Sequence, residues 1–116
     1  MTREVLILAF EGKKSCFLHA LLNALDMSEK GFAVSVVMEG ESPSLMKEIT
    51  HEKDPVHEIY IEAKKRGLIK AVCYGCSKMM GALEIVEKEG LPLNGDMRNH
   101  VPLAPYVERG AEIITF

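Results

Sequence analysis

No stretch of this 116-residue sequence is apolar for long enough to cross a bilayer: the run from Val5 to Phe10 is six residues, against roughly 20 for a spanning helix. The same run is too short for the core of a signal peptide followed by a cleavage site, so a cytoplasmic protein without a membrane partner is expected. Positive charge is not in surplus either. Fourteen Lys and Arg stand against 17 Asp and Glu, a formal net charge of -3, and the basic residues are scattered, which argues against nucleic acid as a direct partner. Gly40, Gly75 and Gly81 make no phosphate loop, and no Gly-x-Gly-x-x-Gly follows the first apolar run, so no nucleotide cofactor is expected. Linkers, repeats and low-complexity segments are absent, and the length suits one core, a single domain over residues 1–116.

Cysteine is scarce as well, at three. Thiol buffers of the cytoplasm disfavour a structural disulfide, so Cys16, Cys73 and Cys76 are expected to be thiols, ligands or core residues. Seven methionines are present, and Met38, Met46, Met79 and Met80 fall in apolar patterns where filling gaps in a core accounts for them.

What is there alternates between two periodicities. "EVLILAF" (4–10), "FAVSVVM" (32–38) and "LIKAVCY" (68–74) are short apolar runs of the kind that form strands covered on both faces. Between them, Phe17, Leu18, Leu21, Leu22 and Leu25 recur at helical spacing and stop at Gly31. A short second helix is expected with Ser42 as its N-cap and Pro43 in its first turn. A third is expected with Asp54 as cap, Lys64, Lys65 and Arg66 in its last turn and Gly67 as its stop. A single fourth helix should follow "LIKAVCY" with Met79, Leu83 and Val86 on one face, closed by Gly90. A short strand at 91–93, a Gly-containing turn, a brief helix in "VPLAPYVERG" and a last strand in "AEIITF" complete the chain. Alternating strands and helices imply parallel pairing through right-handed crossovers. The expected fold is therefore a three-layer α/β/α sandwich with a mostly parallel sheet of four or five strands, the most apolar first strand at its centre.

In open parallel sheets a ligand site forms beyond the carboxyl ends of the strands, near the point where strand order reverses. Cys16 in the turn after strand one, Cys73 and Cys76 after strand three, and Asn94 to His100 after the short fourth strand should all project from that edge. Cys76 with Ser77 is expected in the N-cap region of helix four, where free N–H groups, the helix dipole and nearby Lys78 would favour a nucleophilic thiolate. Such a thiolate could take up sulfane sulfur and pass it to a thiol, with Cys73 as the second sulfur. Cys73, ending a buried strand, is equally readable as a small core residue. Asp96, Arg98 and His100 are the clustered polar groups that could orient a substrate or protonate a leaving thiol. No metal ligands are assigned. Cys16 with His19 one turn on could join Cys73 and Cys76 as four soft metal ligands, and the alternative function is a metal- or redox-responsive binding module using Cys16, Cys73 and Cys76.

Three segments together resemble the DsrE/DsrF-like family of small sulfur-relay proteins, which includes subunits of the bacterial tRNA-thiolation relay. They are the opening strand, turn and helix ending in "EKGFAVSVVM"; "CYGCSKMMG", with Cys73 eight and Cys76 five residues before Gly81; and the ending "YVERGAEIITF". The resemblance implies a three-layer α/β fold, trimers or hexamers, and a persulfide-carrying cysteine at Cys73 or Cys76. Sulfur donor and acceptor proteins or small thiols would be its partners. At "SKMM" the sequence departs from the family's alanine and arginine, leaving Lys78 as the cation beside the thiol. The function expected is therefore that of a persulfide carrier, with Cys76 and Cys73 as reactive thiols and Cys16, Lys78, Asp96 and His100 around the substrate.

Overall fold

The computed structural model describes residues 2–116. Its sheet is built from β1 (Glu4–Ala9), β2 (Ala33–Met38), β3 (Ile69–Cys73), β4 (Leu93–Asn94) and β5 (Glu112–Thr115). All neighbours pair in parallel, in the order β4-β3-β2-β1-β5. The helices are α1 (Lys14–Glu29), α2 (Met46–Ile49, preceded by a 3-10 turn over Ser42–Leu45), α3 (His57–Lys65), α4 (Tyr74–Met79), α5 (Leu83–Lys88) and α6 (Ala104–Glu108). The expected α/β sandwich with a parallel sheet is thus the fold of the chain. β1 is paired on both sides, but the middle position belongs to β2, because the return connection adds only one strand, β5, beyond β1.

The two outer layers are unequal, and strand order is the reason. From β1 to β4 every crossover steps in the same direction, and right-handed connections then deliver the helices to one face. Val5, Ile7, Ala9, Val34, Val36 and Met38 point that way and pack on Phe17, Leu21, Met46, Ile49, Tyr60 and Val86 of α1, α2, α3 and α5. After β4 the chain doubles back to β5, so its connection crosses the opposite face. There Leu6, Leu8, Val37, Ala71 and Cys73 pack with Val101, and Cys76, Leu103 and Tyr106 lie against them.

Cys73 reaches this thin side because of one extra residue. β3 pairs with β2 as Val36 with Ile69 and then Val37 with Ala71, so Lys70 is passed over as a bulge. A one-residue shift exchanges the two faces of a strand. Ile69 and Val72 pack with the helices, whereas Ala71 and Cys73 join the opposite cluster.

The helix expected after β3 is divided. Gly81 adopts φ +67° and ends α4, so that α5 starts afresh at Leu83. Met79, placed by periodicity on the buried face, is consequently 76% exposed. Ser42 is not an N-cap: its buried hydroxyl donates to Ala9 O (2.7 Å) and Glu39 O (3.0 Å), tying together the ends of β1 and β2. Asp54 caps the turn ahead of α3, its Oδ1 accepting from Val56 N–H at 2.9 Å while Oδ2 accepts from Lys14 Nζ at 2.7 Å.

Candidate functional site

Cys73 is the last residue of β3 and the N-cap of α4, its Sγ accepting from the Cys76 N–H at 3.4 Å. Cys76, expected in the N-cap region, is the third residue of α4 and lies in its first turn, while the cap position itself belongs to Cys73. The Ser77 hydroxyl closes the same turn by donating to Cys73 O at 2.7 Å. Both thiols are free; Cys73 is buried and Cys76 partly exposed.

His100 arrives from the other side of a tight turn. Met97 and His100 exchange backbone hydrogen bonds of 2.9 Å in both directions. Arg98 (φ 48°) and Asn99 (φ 74°) between them are both left-handed, the pattern of a type I′ turn. Past this turn the imidazole lies against both sulfurs: Nδ1 is 3.1 Å from Cys73 Sγ and 3.6 Å from Cys76 Sγ. Gly75 makes the approach possible. Its N–H donates to Asn99 O at 2.6 Å, and a Cβ there would meet Asn99 O at 2.8 Å and His100 Cε1 at 2.9 Å.

The end of β2 supplies the remaining wall. Gly40, at φ +60°, directs its N–H to Cys76 Sγ at 3.2 Å, so each sulfur accepts one backbone N–H. Glu39 is partly buried beside them. Burial raises its carboxyl above the usual range, opposed by the charge of His100 and by the Val101 N–H.

This setting does the opposite of what the sequence suggests for Cys76. Burial, the hydrogen bond to Cys73 and the negative charges of Cys73 and Glu39 push the Cys76 thiol up to about 12, and the Gly40 N–H only partly offsets them. α4 is six residues long, and Lys78 is exposed. Lys78 is not among the groups that shift the Cys76 thiol, which are Cys73, Gly40 and Glu39. A base is in place instead: neutral imidazole with an unprotonated Nδ1 can take the thiol proton.

Of the other residues singled out in the sequence, Cys16 lies outside the group, on the first turn of α1. His19 is exposed and bonded to Ser15 O (3.1 Å). Asp96 is exposed at the head of its loop, with its backbone N–H on Asn94 Oδ1 (2.9 Å). Arg98 serves the turn. Only Cys73, Cys76 and His100 are brought together. Glu39 is not singled out in the sequence, and Gly40 and Gly75 are weighed there only against a phosphate loop, although "EG" after the second strand lies on the same carboxyl edge and could have been found by that placement. The cluster stands before the ends of β2, β3 and β4, whereas strand order reverses between β1 and β5; the expected proximity to the reversal does not hold. Among the described residues no helix is long and apolar enough to cross a membrane.

No protein-family model matches the chain. The uncharacterized protein MJ0733 of Methanocaldococcus jannaschii is 33% identical over 97 residues, covering 84% of this chain and 77% of that protein. Among solved structures, a conserved protein of unknown function, BT1422 from Bacteroides thetaiotaomicron, superposes with a TM-score of 0.75. It is 19% identical and covers 97% of this chain and 94% of its own, a likeness of fold.

Proposed function

We propose that this chain, which belongs to the family of the Methanocaldococcus jannaschii protein MJ0733, carries sulfane sulfur on Cys76. The observation that carries the reading is the surrounding of one accessible thiol. Cys76 Sγ has the Gly40 N–H at 3.2 Å and the His100 Nδ1 at 3.6 Å, with the buried thiol of Cys73 behind it.

In the loading step His100 takes the Cys76 proton and the thiolate attacks the outer sulfur of a donor persulfide, R–S–SH. The donor's S–S bond breaks as the Cys76 S–S bond forms, and RS⁻ leaves with the proton as RSH. Cys76 is left as Cys–S–SH with no net oxidation. Delivery is the same exchange toward an acceptor thiol, which regenerates the Cys76 thiol and leaves the sulfur on the acceptor. The Gly40 N–H stabilises negative sulfur at both stages, and the buried Cys73 holds the α4 turn in register.

Donor and acceptor are thiols or persulfides of small molecules or proteins, and the protein works as a sulfurtransferase-type carrier in the cytoplasm. The likeness of its three sequence segments to the DsrE/DsrF-like family supports the same role. An assembly of several copies, a trimer or hexamer, fits the sparse cover of the second sheet face, where Val107 and Ile113 are 59% and 38% exposed.

The test is intact mass after anaerobic incubation with a small-molecule persulfide. A gain of about 32 mass units that reductant reverses, lost in Cys76→Ser and kept in Cys16→Ser, is expected. No adduct, or an adduct that persists in Cys76→Ser, would overturn the reading.

A further inference from the structure

We infer that Cys73, Cys76 and His100 also form a zinc-class metal site with an open fourth position. Two thiolates and one imidazole are a donor set that suits zinc, and sites that keep one position free for an exogenous ligand use three protein ligands of these types. The reading differs from the four-ligand set considered from sequence, since Cys16 and His19 take no part and His100 supplies the nitrogen.

Geometry carries the inference. The two Sγ atoms and a His100 ring nitrogen all lie within 4.8 Å of one another, with Nδ1 to Sγ separations of 3.1 and 3.6 Å. Metal–sulfur bonds of about 2.3 Å and metal–nitrogen bonds of about 2.0 Å at tetrahedral angles put sulfur and nitrogen about 3.5 Å apart and the two sulfurs about 3.8 Å apart. The two nitrogen–sulfur separations bracket the tetrahedral value and the two sulfurs lie within 4.8 Å of each other, on a strand end, a helix turn and a loop.

Their surroundings suit bound thiolates. The Cys76 N–H reaches Cys73 Sγ at 3.4 Å and the Gly40 N–H reaches Cys76 Sγ at 3.2 Å, the kind of outer contact that orients and tunes metal-bound sulfur. Binding releases the two thiol protons to solvent. The fourth corner is left to water or a small soft anion such as hydrosulfide. Because the metal and a persulfide both require Cys76 Sγ, the two occupancies exclude one another, and the inference stands whether or not the chain carries sulfur.

The experiment is cobalt titration of the reduced, metal-free protein in the absence of any sulfur donor, followed by zinc. Thiolate-to-cobalt charge-transfer absorption and intense visible bands of tetrahedral cobalt are expected at one equivalent, bleached by zinc. Cys76→Ser and His100→Ala should each weaken binding at least about tenfold, while Cys16→Ser leaves it unchanged. X-ray absorption of the zinc-loaded wild type, which needs no variant to fold, should give two sulfur and one nitrogen neighbours. Absence of the bands, their survival in Cys76→Ser, or a first shell of oxygen alone would overturn the site. The persulfide mass experiment contains no metal, so failure of either proposal is read separately.

Discussion

His100 and Cys73 are 27 residues apart in the chain and 3.1 Å apart between Nδ1 and Sγ. The same ring nitrogen stands 3.6 Å from Cys76 Sγ, and in the proposed loading step His100 is the base for a thiol that its environment keeps protonated. Replacing it with glutamine removes the base while retaining a hydrogen-bonding side chain. His100→Gln is expected to slow persulfide loading of Cys76 by about 100-fold, followed by mass against time at constant pH. An unchanged loading rate would remove His100 from the reaction.

With the Cys76 thiol pushed up to about 12 by burial and by Cys73, its alkylation should be slow at neutral pH. The rate should climb about tenfold per pH unit without levelling near about 8.5, where an ordinary thiol titrates. Mass-resolved iodoacetamide labelling across pH checks this, with Cys16 as the internal comparison. A plateau near neutrality for Cys76 would contradict the electrostatics described.

Glu39 contributes one of the negative charges that oppose the Cys76 thiolate, so Glu39→Gln should accelerate the same alkylation at fixed pH. It also has a stability signature. Burial raises the Glu39 carboxyl in the fold, so the folded state holds that proton more tightly than the unfolded chain. The resulting stabilisation is present below the unfolded value of about 4.3 and is lost as pH rises through the folded value. Relative to wild type, Glu39→Gln should therefore gain stability at neutral pH compared with acid pH, measured by urea unfolding at both.

Gly75→Ala should reach the site without touching a thiol. The added Cβ would sit 2.8 Å from Asn99 O and 2.9 Å from His100 Cε1, so the loop carrying His100 has to move. A loss of about 1–3 kcal/mol is expected from crowding of this kind, together with slower sulfur loading. Gly31→Ala serves as a control: it shares the positive φ type of backbone with other helix stops and has open space around its Cβ, so it should lower stability with the loading rate intact.

Far from the cluster, the buried Tyr60 hydroxyl donates to Glu89 Oε1 at 2.5 Å, where Lys64 Nζ also approaches at 3.2 Å. Tyr60→Phe is expected to cost about 1–2 kcal/mol in urea unfolding, because Glu89 keeps Lys64 as its partner. The variant should load sulfur at the wild-type rate, which separates loss of stability from loss of chemistry.

Local information sufficed for much of the fold. Alternation and apolar runs marked the strands at 4–10, 32–38 and 68–74, helical spacing marked α1, and the two cysteines three apart after the third strand marked where to look. These signals are legible because strand and helix periodicity, turn-forming residues and the spacing within Cys73–Cys76 are properties of neighbouring residues. What sets the site apart was decided across the chain. The bulge at Lys70 turns Cys73 from the helix-packed face to the thinly covered one; the return of the chain after β4 brings His100 over it; and the end of β2 adds Glu39 and the Gly40 N–H. Cys16, on the first turn of α1 after β1, stays outside the group although it follows a strand that ends at the same edge. Register and strand order depend on how all the elements pack at once, and residue patterns taken one segment at a time do not contain them.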